Sequence, residues 1–156
     1  MEIKPPAIYE IDPIIYTPTI YLGGSNDNWR TNAISDIYKQ IPTAVIYNPS
    51  REQIGIDVAE QVKWELDAQE EADVRFYYFS SDIESSITFL EIGLFGGQLS
   101  TSTVICVEPG FKLAVDLAVV CGRYGIEFAV GLNNGLTTVI DLIKNIGSND
   151  QSDELN

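Results

Sequence analysis

The stretch Ala72-Asp-Val-Arg-Phe-Tyr-Tyr-Phe79, continuing through Ser80-Ser-Asp-Ile-Glu-Ser85 into Ser86-Ile-Thr-Phe-Leu-Glu-Ile-Gly-Leu-Phe-Gly-Gly97, decides the fold. Val74 to Phe79 is a short apolar and aromatic run of the length of a buried strand, and a polar loop separates it from a helical segment opening near Ser86. Strand, loop and helix in that order are half of a parallel crossover unit. The helix carries an anomaly: Glu91 lies between Leu90 and Ile92, with Phe89, Leu94 and Phe95 close by. A carboxylate in such surroundings is costly unless it is paired or used.

The same alternation extends in both directions. Thr19 to Leu22, Thr43 to Tyr47, Val74 to Phe79, Thr103 to Val107 and Ile126 to Val130 read as strands bounded by Gly, Pro, Asn or Asp. Between and after them, Asn32 to Gln40, Ile56 to Glu71, Ser86 to Gly97, Phe111 to Arg123 and Gly135 to Ile146 read as helices. In the second, Val58, Val62 and Leu66 recur every four residues with charges opposite, which predicts an apolar face. Strict alternation predicts an α/β three-layer sandwich of flavodoxin-like form, with five parallel strands in the order 2-1-3-4-5 and helices on both faces. Ligands in such sheets bind beyond the carboxyl ends of the strands, where the strand order reverses. Residues 1–18, with Pro5, Pro6, Pro13 and Pro18, read as an arm outside the regular fold. Residues 19–146 form the domain, and 147–156 read as a flexible acidic tail.

Composition narrows the function classes. A chain of 156 residues, 45% hydrophobic, suits one domain with its own core. The formal charge of −14 and the lack of a basic stripe argue against direct nucleic-acid binding. Residues 51–91 hold eleven acids against three bases, which reads as solvated helix faces or, alternatively, as an acidic surface imitating nucleic acid. With no histidine, histidine triads and the usual zinc sites are excluded, so no metal site is expected. Cys106 and Cys121 sit in apolar patterns and read as buried thiols. The lack of a long apolar run and of a basic, apolar leader predicts a cytoplasmic protein with no membrane association.

Under this topology four loops converge: Gly23 to Arg30, Asn48 to Arg51, Ser80 to Ser86 and Glu108 to Gly110. Gly23-Gly24-Ser25 allows close backbone approach, or is only a turn. Asn48 and Arg51 suit a sugar or phosphate, although Asn48-Pro49 is also a turn signal. Tyr21 and Trp29 are candidates for stacking on a planar ligand, with the core as the alternative for Tyr21. Trp64 reads as a packing residue. Gln61 and Glu65 share a helix face and read as a surface pair or as partners of the first-strand loop. Ser86 is a candidate helix cap, and Asp73 a residue that terminates a helix.

Taken in order, Tyr21-Leu-Gly-Gly-Ser25 with Trp29-Arg30, Tyr47-Asn-Pro-Ser-Arg51, Gln61 with Trp64-Glu65, Ala72-Asp-Val74 and Thr88-Phe-Leu-Glu-Ile-Gly93 resemble the nucleoside 2-deoxyribosyltransferase-like family across residues 19 to about 130. The resemblance implies that Glu91 is the catalytic nucleophile, forming a covalent glutamyl-deoxyribose intermediate. It implies that Asp73 is the acid on the base side, and that Tyr21, Gly23, Gly24, Ser25, Trp29, Asn48, Arg51, Asp82, Ser85 and Ser86 surround the substrate. The family's second aspartate, six residues before the nucleophile, is replaced here by Ser85, with Asp82 three residues further back. Asp82 can supply that carboxylate, or Ser85 and Ser86 can bind a 5'-phosphate as in the related nucleotide hydrolases. The implied activity is transfer or hydrolysis at the N-glycosidic bond of 2'-deoxynucleosides or their monophosphates. It calls for no cofactor and implies a homo-oligomer, a dimer or larger. The alternatives are a catalytically inactive nucleotide-binding module and an acidic interaction protein.

Overall fold

The computed structural model describes residues 1–10, 16–25, 28–50, 57–80 and 86–153. Its centre is a parallel sheet of six strands: β1 (Glu2–Ile3), β2 (Thr19–Gly24), β3 (Val45–Tyr47), β4 (Val74–Phe79), β5 (Thr103–Val107) and β6 (Glu127–Val130). The spatial order is β1-β3-β2-β4-β5-β6. The five expected strands therefore take the expected order, and the sheet has one strand more. That strand comes from the proline-rich arm, where Glu2 and Ile3 pair with Ile46 and Tyr47 before Pro5 and Pro6 end the ladder.

Helices α1 (Trp29–Gln40), α2 (Val58–Glu71), α3 (Ser86–Phe95), α4 (Ala114–Tyr124) and α5 (Leu132–Asp153) connect and follow the strands. The last runs through Gly147 into the stretch read as a flexible tail, since no proline there interrupts the hydrogen-bond ladder. Strand alternation divides the interior into two cores. Ile20, Leu22, Phe76, Tyr78 and Cys106 point to one face, where Trp29, Ala33 and Ile37 of α1 and Leu136, Val139 and Ile143 of α5 cover them. Tyr21, Tyr77, Phe79, Ile105 and Val107 point to the other, beneath Trp64 and Ala68 of α2, Ile92 of α3 and Leu117 and Cys121 of α4. Both thiols are buried and unpaired, and burial pushes Cys106 up to about 12 and Cys121 up to about 11.

Helix α2 lies with a different face inward from the one its periodicity suggests. Val58 and Val62 are exposed, whereas Gln61, Trp64, Ala68 and Gln69 are buried. Trp64 fixes this rotation: its ring packs edge-on against Tyr47 at 6.1 Å, and Nε1 donates to the Ala7 carbonyl at 2.7 Å. The Nε2 groups of the amides drawn inward with it are hydrogen-bonded, while Gln61 Oε1 is buried with no partner among the described residues. Among the described residues, no helix is long and apolar enough to cross a membrane.

Candidate functional site

Strand β2 is where the sheet reverses direction, with β3 on one side and β4 on the other. Its final residues, Gly23 and Gly24, pair with Tyr77 and Tyr78. A Cβ on Gly23 would stand 2.5 Å from Cδ1 of Tyr77 and 2.9 Å from Cε1 of Tyr21, so glycine is what allows these two rings to meet. Gly24 has φ 109° and lies against the Tyr78 backbone. Ser25 is fully buried and joins two strand ends: its N–H donates to the Tyr78 carbonyl at 2.8 Å, and its Oγ accepts from Ser80 N–H at 3.0 Å. The Ser80 hydroxyl beside it is buried without a partner among the described residues.

Glu91 projects from α3 onto the face that carries Tyr21 and Tyr77 and is 8% exposed. Gln69 Nε2 donates to its Oε1 at 3.3 Å. Burial first, and the Glu65 carboxylate second, push the Glu91 carboxyl up to about 7, against the smaller opposing pull of the Gln69 amide and the Arg30 guanidinium. Glu65 is half-buried and accepts a hydrogen bond from Gln61 Nε2. Burial and the Glu91 and Glu65 charges hold Tyr21 well above the ordinary phenol range, and Tyr77 is raised by burial and Glu91, so both rings stay neutral and protonated. The result is a largely buried cluster of two carboxylates, two phenols and two amides on one side of the sheet.

The other anticipated residues are distributed unevenly. Asp73 immediately precedes β4 at the amino edge of the sheet, where its Oδ2 accepts from Thr19 N–H at 2.8 Å, Thr19 Oγ1 at 2.9 Å and Tyr16 OH at 3.4 Å. It ties the first residue of β2 to β4, and the charges that act on Glu91 are those of Glu65 and Arg30 instead. Trp29 lies on the opposite face, packed on Phe76 and Tyr78 at centroid distances of 5.7 and 5.2 Å, with Nε1 donating to the Ser25 carbonyl. Its ring is core, not a stacking platform. Asn48 donates to Glu2 at 2.7 Å and accepts from Ser50 N–H, bordering a polar cleft of about 270 Å³ against α1. Arg51, Asp82 and Ser85 lie outside the described residues, and Ser86 enters only as the first residue of α3.

Two residues of the site escape the sequence reading. Gln69 continues Gln61 and Glu65 at spacing four, so the three form a polar stripe on α2; that repetition was the available signal. Arg30 spans the end of β2, donating to the carbonyls of Leu22, Ser25 and Gly24 at 3.1 Å each, so that a buried cation stands near the acidic pair.

The sequence profile of a family described as nucleoside 2-deoxyribosyltransferase like matches residues 17–111, which is more than half of the chain. The protein belongs to the nucleoside 2-deoxyribosyltransferase-like family. The match runs from just before β2, through both α2 and α3, into the loop after β5. It therefore takes in every residue of the Glu91 constellation. A search of the curated proteins returns no match.

Proposed function

We propose that this family member cleaves or transfers at the N-glycosidic bond of a 2'-deoxynucleoside or its monophosphate, with Glu91 as nucleophile. The observation that carries the reading is the pairing of a buried carboxyl raised to about 7 with a second carboxylate, Glu65, on the adjacent helix. A structural acid in an apolar core would be expected to carry a full set of donors, as Asp73 does. Among the described residues Glu91 has one hydrogen bond, and it is long.

In this mechanism the ionised Oε of Glu91 attacks C1' as the C1'–N bond breaks through an oxocarbenium-like transition state. The leaving base takes a proton from solvent as the bond breaks, and the product is a deoxyribosyl ester on Glu91. A second base, or water, then attacks C1' from the vacated side and restores the carboxylate, with net retention. Glu65 takes the base-side role that Asp73 was expected to fill, because the Glu65 charge acts on Glu91 and Asp73 is spent on Thr19. Lack of a 2'-hydroxyl eases the first step, since that group withdraws electrons from the developing cation. The mechanism uses no metal and no cofactor.

Incubation of the protein with each deoxynucleoside and deoxynucleoside monophosphate, with and without a second free base, tests this by chromatography. Exchange lost in Glu91→Gln identifies a transferase, and base release alone a hydrolase. Turnover that survives Glu91→Gln, or silence across the panel, overturns the catalytic reading and leaves a nucleotide-binding module.

The fold also offers a face for a second copy, and a homo-oligomer is part of this proposal. Leu90 and Leu94 on α3 and Val115, Val119 and Tyr124 on α4 are all exposed. Residues 86–124 contain three acids and two bases, so a chain of charge −14 is nearly neutral there and can approach its copy with little repulsion. Sedimentation of the purified chain decides it: a monomer at micromolar concentration rules the oligomer out.

A further inference from the structure

Gln69 has no exposed surface, and every polar atom of its side chain is used. Its Nε2 donates to the Glu65 carbonyl at 3.0 Å and to Glu91 Oε1 at 3.3 Å, while its Oε1 accepts from the Tyr77 hydroxyl. The orientation of the amide follows from its partners. A backbone carbonyl can only accept, so the NH2 group must face Glu65 and the oxygen must face Tyr77. The tyrosine then has to donate, and the second N–H is left pointing at Glu91. Arg75 anchors the same residue from the main chain: its Nε donates to the Gln69 carbonyl, and its Nη2 to the Ala72 carbonyl at 2.6 Å, closing the carboxyl end of α2.

We propose that Gln69 and Tyr77 are positioning residues for Glu91, with the tyrosine hydroxyl locking the amide and the amide N–H holding the carboxylate in one orientation against the β4 face. This rests on the reading of Glu91 as the reacting group. The amide is a donor whichever protonation state Glu91 adopts, but it bonds the carboxylate more strongly than the acid. It therefore favours the ionised nucleophile against burial and against Glu65. The titratable and charged groups that face or act on Glu91 are Glu65 from α2, Tyr77 from β4, Tyr21 from β2 and Arg30 from α1. Tyr21 and Tyr77 stay protonated through neutral pH, so the titration followed is that of Glu91.

The test is a carbon-13 NMR titration of the Glu91 carboxyl in glutamate-labelled protein, assigned by its loss in Glu91→Gln. It is run on the native chain, Gln69→Met and Tyr77→Phe. The native midpoint is expected at about 7. Gln69→Met keeps the volume and removes the donor, and should raise the midpoint by about one pH unit. Tyr77→Phe removes only the oxygen that locks the amide and should raise it by less. The acid limb of kcat/KM should move by the same amounts with KM little changed, which a merely structural role would not produce. An unmoved midpoint in both variants overturns the proposal, and if Gln69→Met does not fold, Tyr77→Phe decides alone. The titration is independent of turnover: shifted midpoints in a protein that releases no base uphold the hydrogen-bonded frame and sink the nucleophile reading, whereas an active enzyme with unmoved midpoints sinks the frame.

Discussion

Asp73 and Glu91 lie eighteen residues apart on either side of β4, and the two regions treat a carboxylate in opposite ways. At the amino edge of the sheet, Asp73 collects donors from Thr19 and Tyr16 and joins two strands. Under α2 and α3, Glu91 has one long hydrogen bond among the described residues and a neighbouring acid, and burial holds its proton up to about 7. The first is a satisfied structural acid. The second is in the condition that general acids, bases and nucleophiles share, because a group left short of partners retains the capacity to react. Identity of residue type says nothing of this difference; the number of donors each carboxylate meets does.

The sharpest way to break the comparison is to neutralise both acids and follow turnover. Glu91→Gln should lower base release by about a thousandfold or more, the scale of losing a covalent nucleophile. Asp73→Asn should leave it within about threefold once folded protein is matched. Equal losses in the two variants would mean that Asp73 reaches the chemistry after all. Stability should reverse the order. Asp73→Ala strands the Thr19 N–H, leaves its hydroxyl only the longer bond to the Glu71 carbonyl, and should cost about 2 kcal/mol in urea unfolding. A loss below about 0.5 kcal/mol would contradict the joint assigned to Asp73.

The contrast also explains what could be read from the chain. The strand and helix alternation was legible because Val74 to Phe79 and Thr103 to Val107 are buried on both faces, and their limits in the fold are the ones their apolar runs mark. Strand β1 was not, since two residues beside Pro5 and Pro6 carry no periodicity and owe their pairing to the edge of β3. Helix α2 was misread because Val58, Val62 and Leu66 make a regular stripe, while the face that turns inward is chosen by Trp64 and by amides whose partners lie far away in sequence. Glu91 stood out because its neighbours are apolar. Asp73 and Glu65 could not be ranked from sequence, since one depends on Thr19 and the other on the rotation of α2. Trp29 likewise follows from the strand face it meets, which the loop before it does not reveal.

The smallest expected effect sharpens the comparison thermodynamically. Unfolded Glu91 has the ordinary value of 4.5, and the folded value is raised to about 7. Below the lower value both states hold the proton and no linkage remains. Between the two, the folded state keeps a proton that the unfolded state releases, so stability falls as pH rises, and above the upper value the full cost of a buried charge is present. Relaxation around the carboxylate leaves that cost at about 1 to 2 kcal/mol. Glu91→Gln removes the ionisation, so its stability should be matched to the native protein near pH 4.5 and should exceed it by that amount at pH 8, as read from urea midpoints across the range. Asp73→Asn should show no such gain on the alkaline side, because the Asp73 carboxylate has donors from Thr19 and Tyr16 already in place. Parallel stability curves for Glu91→Gln and the native chain would show that Glu91 is solvated in the folded state, and with it would go the distinction between the two acids.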